Sequence, residues 1–371
     1  MPDAPPHILG LSRPELAGFL AGAGAPAFRT AQILDWLYGK RVMDFSKMLN
    51  LPADLRGRLS ATFQAGLPEL VEVQGSDDTT RKFLFRLADG QLVETVFIPA
   101  SPALYGDSSD RRTLCVSSQV GCAYGCKFCA SGLDGWKRNL TTAEIVGQLL
   151  AVEAHTGERV SNIVFMGMGE PFANYQNLMR AIEILNSPWG TGIGARKITV
   201  STSGLVTKIR EFADQPLQTR LAISLHGATD DVRNRIMPIN TRFPLAQLMD
   251  ACSHYSLRKK QHLTFELILI AGVNDSPDQA RALAKLAAPL RAKVNIIPYN
   301  TVQGLDWVRP DVAVQEAFLR ILLDQGIPAT LRREKGHDIA AACGQLRLRH
   351  ADAASSTETR KNLFAQTPLT A

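Results

Sequence analysis

Between residues 113 and 326 the chain alternates six strand-like runs with helical stretches. The runs are TLCVSSQV, NIVFMGMG, KITVSTSG, RLAISLHG, HLTFELILI and KVNIIPYN, rich in β-branched and aromatic residues. Between or after them lie TTAEIVGQLLAVEAH, NYQNLMRAIEIL, PDQARALAKLAAPL and VAVQEAFLRILLDQG, with apolar residues at helical spacing. Such alternation predicts an α/β fold, a parallel sheet with helices outside it. Six units make an open or partial barrel rather than a closed one of eight. Chemistry in these folds gathers at the carboxyl ends of the strands. Here those ends carry small or polar residues: Gly121 and Cys122, Gly169 and Glu170, Ser201 to Ser203, Ser224 to His226, and Asn300.

Upstream the pattern is different. Ser12, Pro14 and Glu15 read as a helix start, and Ile33, Leu34, Trp36 and Leu37 as a helical apolar face. RKFLFRLADGQLVETVFIP then gives two alternating runs around Asp89-Gly90, a hairpin signal. Residues 1–100 are therefore expected to form a helical accessory domain with a β-hairpin, and residues 101–348 the core. Residues 349–371 are polar and aperiodic and are expected to be a disordered tail. No stretch approaches the ~18 apolar residues of a membrane helix, and the start lacks a signal-peptide pattern, so a cytoplasmic location is expected. A formal charge of +6 and a pI near 9.0 fit a polyanionic partner without requiring one.

Four of the six cysteines fall between 115 and 129, a poor disulfide framework and a better metal or redox signal. GCAYGCKFCASG sets Cys122-x3-Cys126-x2-Cys129 after the first core strand. Three thiolates on one compact loop suit an iron–sulfur cluster with one iron left open. A zinc site with Cys115 as fourth ligand is the competing reading. Cys252, inside LAQLMDACSHYSL, reads as a buried core thiol.

These motifs resemble the radical SAM (S-adenosylmethionine) superfamily, and within it the RlmN/Cfr adenosine methyltransferases. The resemblance covers about residues 10 to 348 and rests on LCVSSQVGCAYGCKFCASG, NIVFMGMGEPFANY, ITVSTSGLV, AISLHGATDDVRNRIMPIN, GVND, NIIPYN and GHDIAAACGQL. It implies a partial (β/α)6 radical SAM barrel, with Cys122, Cys126 and Cys129 holding a [4Fe–4S] cluster. Gly169, Glu170, Ser201, Ser224, Leu225, His226 and Asn300 would then hold SAM. The loop wording after the triad, GLDGWKRNL, departs from the commonest family form, but the ligands are intact.

The resemblance further implies how two more cysteines and a glutamate act. Carbon 2 of adenine is electron-poor and does not attack a SAM methyl group by displacement, whereas a carbon radical adds to it. Cys343 would take a methyl group from one SAM, and a second SAM would turn that methyl into a radical that adds to the base. Glu94 would accept the departing proton. Cys115 would attack the Cys343 sulfur, releasing methylated RNA and leaving a disulfide to be reduced. The implied targets are adenosine 2503 of 23S rRNA and adenosine 37 of some tRNAs, with an electron donor such as flavodoxin or ferredoxin. Methylation at carbon 8, as in Cfr-type enzymes, uses the same cysteines. A non-catalytic zinc-dependent RNA-binding protein is the reading from another class. Arg111-Arg112, Lys137-Arg138, Arg258 to Lys260 and Arg332-Arg333 are candidate phosphate contacts.

Overall fold

The computed structural model describes residues 5–76, 79–99, 111–133, 135–302, 304–332 and 344–350. Its amino-terminal helices are α1 (Arg13–Gly22), α2 (Phe28–Leu34) and α3 (Ala53–Thr62). A capping box starts α1: the Ser12 hydroxyl accepts from the Glu15 amide at 3.3 Å, and the Glu15 carboxylate accepts from the Ser12 amide at 2.6 Å. The helical face after α2 is Ile33, Leu34, Leu37 and Tyr38, all buried. Trp36 falls out of that phase and donates its indole N–H to Asn50 at the surface.

Three antiparallel strands follow, β1 (Glu69–Gly75), β2 (Arg81–Arg86) and β3 (Leu92–Pro99). The expected hairpin is β2–β3, and Gly90 at φ +82° makes its turn. The strand β1 was not anticipated; a bulge between Leu70 and Glu72 breaks its alternation.

The main sheet continues through β4 (Arg112–Cys115). Then the chain departs from the simple expectation. TLCVSSQV is not one strand: β5 (Gln119–Gly121) leaves the sheet and pairs only with β6 (Trp136–Asn139). The break at Val116 to Ser118 is held by side chains. The Ser117 hydroxyl donates to the Glu94 carbonyl at 2.5 Å and accepts from the Met168 amide at 2.9 Å. The amide of Gln148 grips the Ser117 backbone on both sides. Backbone groups satisfied this way no longer need a ladder partner.

The remaining strands run β7 (Asn162–Phe165), β8 (Ile198–Thr202), β9 (Arg220–Ser224), β10 (Thr264–Leu269), β11 (Lys293–Pro298) and β12 (Ala329–Leu331). The described residues form one ten-stranded sheet in the order β1-β2-β3-β4-β7-β8-β9-β10-β11-β12. Within this sheet every pairing from β4 onward is parallel, so five of the six anticipated runs pair as expected, TLCVSSQV contributes only its start as β4, and β12 extends the set. The helices are α4 (Ala130–Leu133), α5 (Thr142–Thr156), α6 (Tyr175–Asn186), α7 (Val206–Asp214), α8 (Asp230–Ile236), α9 (Leu245–Lys259), α10 (Pro277–Ala287) and α11 (Val312–Asp324). A continuous apolar core joins them to the sheet. Residues 345–350 are also helical; residues 351–371 and the segment 100–110 lie outside the described residues.

Candidate functional site

The ribbon β5–β6 closes a loop that carries Cys122, Cys126 and Cys129. Gly121 at its neck has φ +74°, and a Cβ there would stand 1.8 Å from the Gly135 carbonyl oxygen, so only glycine closes the ribbon. Burial pushes the Cys122 thiol up to about 12, while the amides of Tyr124 and Gly125 hydrogen-bond to its sulfur and pull it down. Burial raises Cys126 well above the usual thiol range, and the neighbouring Cys129 and Cys122 sulfurs raise it further. Three mutually repelling thiols ionise together only with positive charge between them.

That donor set fits an iron–sulfur cluster, with amide hydrogen bonds to sulfur as such clusters use. The zinc reading lacks its fourth ligand: Cys115 stands on β4 in the main sheet rather than on the loop.

The other candidate residues sit at the carboxyl ends of the strands. Gly169 (φ +96°) follows β7, and a Cβ on it would lie 2.5–2.8 Å from Gln119. The Glu170 carboxylate is buried and accepts from the Ser203 amide and hydroxyl at 2.7 and 2.8 Å and from the Phe172 amide at 3.0 Å. Burial raises its pKa, and those hydrogen bonds lower it. Ser201 on β8 and Ser224 on β9 place their hydroxyls 3.1 Å apart. Ser201 also donates to Glu266 on β10 at 2.8 Å, a buried carboxyl raised by its burial.

Leu225 is buried, and His226 follows it with φ +55°. Nδ1 of His226 accepts from the Ile268 amide at 3.0 Å, which leaves the proton of the neutral ring on Nε2. Burial and then Arg233 lower its pKa to about 3, so the ring is neutral across the physiological range. The same ring packs edge-on against Phe128, centroids 4.9 Å apart, joining this rim to the cysteine loop. Asn300 is half-buried, two residues past β11.

A second centre lies on β3 and β4. Thr95 donates to Gln148 of α5 at 2.7 Å, so Glu94 faces the opposite side of the sheet. Val96 pairs with Cys115, which puts Glu94 and Cys115 on that same face as diagonal neighbours. The Glu94 carboxylate accepts from the Gly344 amide at 2.8 Å and the Arg347 amide at 2.7 Å. The residue before Gly344 in the chain is Cys343, which lies outside the described residues. No disulfide links the described cysteines.

The buried polar residues missed in the sequence include Lys82, Arg233 and Glu266. Glu266 had a signal, since an acid inside the apolar run HLTFELILI needs a partner. Several proposed phosphate contacts are engaged within the protein. Arg138 pairs with Asp89 and Glu144, Arg112 with Glu158, and Arg258 with Asp214. Arg333 lies outside the described residues.

Cys252 on α9 is fully buried, and burial lifts its thiol to about 12. It is therefore expected to resist iodoacetamide in the folded protein and to react once guanidinium unfolds it. Peptide mass spectrometry reads this directly, and labelling under native conditions would contradict the packing.

Comparison with known proteins agrees with this geometry. The sequence profile of the radical SAM superfamily matches residues 116–284, and that of the ribosomal RNA large subunit methyltransferase N-terminal domain matches residues 7–64. A probable dual-specificity RNA methyltransferase RlmN of Akkermansia muciniphila is 54% identical over 355 residues, 96% of this chain and 99% of the relative. A probable RlmN 3 of Opitutus terrae is 53% identical over 356 residues, 93% of this chain and 95% of the relative. The crystal structure of a radical SAM methyltransferase from Sphaerobacter thermophilus superposes with a TM-score of 0.86 at 43% identity, covering 92% of this chain and 99% of that one. With relatives this similar over nearly its whole length, the chain belongs to the RlmN family of radical SAM RNA methyltransferases.

Proposed function

We propose that the protein methylates carbon 2 of adenosine 2503 in 23S rRNA and of adenosine 37 in some tRNAs, through an S-methylated Cys343. The observation that carries the reading is the contact of Glu94 with the Gly344 amide, next in the chain to Cys343, on the sheet face that also holds Cys115. A proton acceptor, a resolving thiol and the start of the Cys343 segment thus share one face.

Cys122, Cys126 and Cys129 would hold the [4Fe–4S] cluster. When bound, the cluster supplies the electron that cleaves SAM to a 5′-deoxyadenosyl radical. Gly169 and Glu170 meet the methionyl end of SAM. Ser201, Ser224, Leu225, His226 and Asn300 line the rest of the pocket. A neutral His226 places a single N–H donor there and adds no positive charge beside a sulfonium.

Cys343 carries the methyl group, and one SAM is spent to load it and a second to activate it. Once the base is joined to the Cys343 sulfur through that carbon, aromaticity returns on loss of one electron, which the oxidised cluster would take back, and of one proton, which Glu94 accepts. The Cys115 sulfur then attacks the Cys343 sulfur. The S–C bond breaks toward the RNA, whose methyl carbon takes up a proton; an S–S bond forms, and an external thiol reductant restores both thiols, while an electron donor such as flavodoxin or ferredoxin would supply the cluster. The target adenosine must leave its stack to reach this site. The helical residues before β1 are the accessory surface for RNA in this reading, and the protein acts in the cytoplasm.

The test is digestion of unmodified RNA incubated with reconstituted protein, SAM and reductant, with the nucleosides identified by mass spectrometry. The expected product is 2-methyladenosine, absent with Cys343→Ala. Only 8-methyladenosine, or undiminished product from that variant, would overturn the proposal.

A further inference from the structure

Lys82 is fully buried, which a lysine almost never is without a partner. Its ammonium lies 2.7 Å from Glu94 Oε2, and the two side chains are 0% and 1% exposed. The pair follows from register: Lys82 on β2 and Cys115 on β4 are both opposite Val96 of β3, and Glu94 is two residues along on the same face. A buried ion pair adds little net stability, because desolvation offsets the attraction. What it does is hold one carboxylate in one place.

That carboxylate carries the carboxy-terminal segment. Oε2 takes the Gly344 amide as well as Lys82, and Oε1 takes the Arg347 amide. The two amides stand three residues apart at the start of the helical residues 345–350. They are the positions a capping box satisfies locally, here satisfied from a strand 250 residues away in sequence. The far end of that helix is tied down too, by His350 against Glu72 of β1. Among the described residues the charged and titratable neighbours around Glu94 include Lys82, Cys115, Arg347 and, farther along the helix, Glu72 with His350.

We propose that Lys82 is a positioning residue: through Glu94 it fixes the start of the carboxy-terminal helix over the sheet face that carries Cys115. A carboxyl buried without a cation turns toward water or keeps its proton, and a protonated acid is a weaker acceptor for two amides. Removing the ammonium would thus loosen Gly344 and Arg347 without touching the cluster loop. The inference rests on the proposed function only in taking Cys343, the residue before Gly344, as the methyl carrier.

The experiment compares reconstituted wild-type protein with Lys82→Met and Lys82→Arg by hydrogen exchange over residues 344–350. SAM cleavage without RNA and methyl transfer to Cys343 are measured alongside. In Lys82→Met the amides of 344–350 are expected to exchange at least ~tenfold faster, and Cys343 methylation to fall about tenfold. SAM cleavage and exchange in α5 should stay at wild-type values, and Lys82→Arg should restore the other two readings. Unchanged exchange at 344–350 in Lys82→Met would overturn the proposal. So would loss spread equally over SAM cleavage and α5, which marks a general folding defect. If wild-type protein does not methylate Cys343, the proposed function fails while the exchange data still decide the role of Lys82.

Discussion

Arg233→Met is expected to lower folding stability by at least ~3 kcal/mol and to abolish SAM binding, although Arg233 is not among the residues expected to line the SAM pocket. The side chain is 0% exposed on α8. Nη2 donates to the Ser203 carbonyl at 3.0 Å, Nη1 to the Ser224 carbonyl at 3.3 Å and to that of Leu225, and Nε to Asn240 Oδ1 at 2.8 Å. One guanidinium therefore ties the carboxyl ends of β8 and β9 together, where Ser201, Ser224, Leu225 and His226 sit. Burial lowers its pKa to about 10, with Cys126 and Asp230 pulling it back up, so it stays cationic at neutral pH. Methionine fills similar space but removes the guanidinium from the carbonyls of Ser203 and Ser224 and from Asn240 Oδ1, while the Leu225 carbonyl keeps the Gly227 amide; each lost partner costs on the order of 1–3 kcal/mol. A lysine in its place would keep the charge with fewer, differently placed donors, so Arg233→Lys should fall between. A denaturant titration gives the first quantity and SAM calorimetry the second. Wild-type stability in Arg233→Met would show that the clamp carries no load.

The barrel strands were legible because most are dense apolar runs with a stretch of helical period after them. A cap was legible where its residues are local, as at Ser12 with Glu15; the equally local box of Thr141 with Glu144 was not read. What escaped notice depends on contacts far apart in sequence. The break after Cys115 needs Gln148 and Met168, and nothing in TLCVSSQV itself marks it. Lys82 sits in RKFLFR, where a lysine beside an arginine looks like a solvated strand end. Only its register against Glu94 shows that it points inward. The pocket serines were found by motif, but Glu266, which binds Ser201, lies two strands away in the sheet. Site residues held by local geometry could be read; residues that hold others in place could not.

Gly344→Ala should separate the two halves of the reaction. Gly344 has φ +93°, and a Cβ on it would lie 2.8 Å from the Ser131 amide nitrogen, 2.9 Å from its Cα and 3.0 Å from its hydroxyl. Ser131 belongs to α4, two residues after Cys129, so Gly344 is wedged between the cysteine loop and the Glu94 carboxylate. Alanine would bring backbone strain on the order of 1–3 kcal/mol. The clash is with backbone atoms that cannot swing aside, so the carboxy-terminal helix is the part that moves. Cys122, Cys126 and Cys129 keep their own contacts, and iron content and SAM cleavage without RNA should therefore match wild type. Methyl transfer to Cys343, read by peptide mass spectrometry, should fall by about tenfold or more, since each ~1.4 kcal/mol of misplacement costs a factor of ten. Wild-type methylation of Cys343 in this variant would mean that the contact between Gly344 and the cysteine loop does not set where the methyl carrier stands.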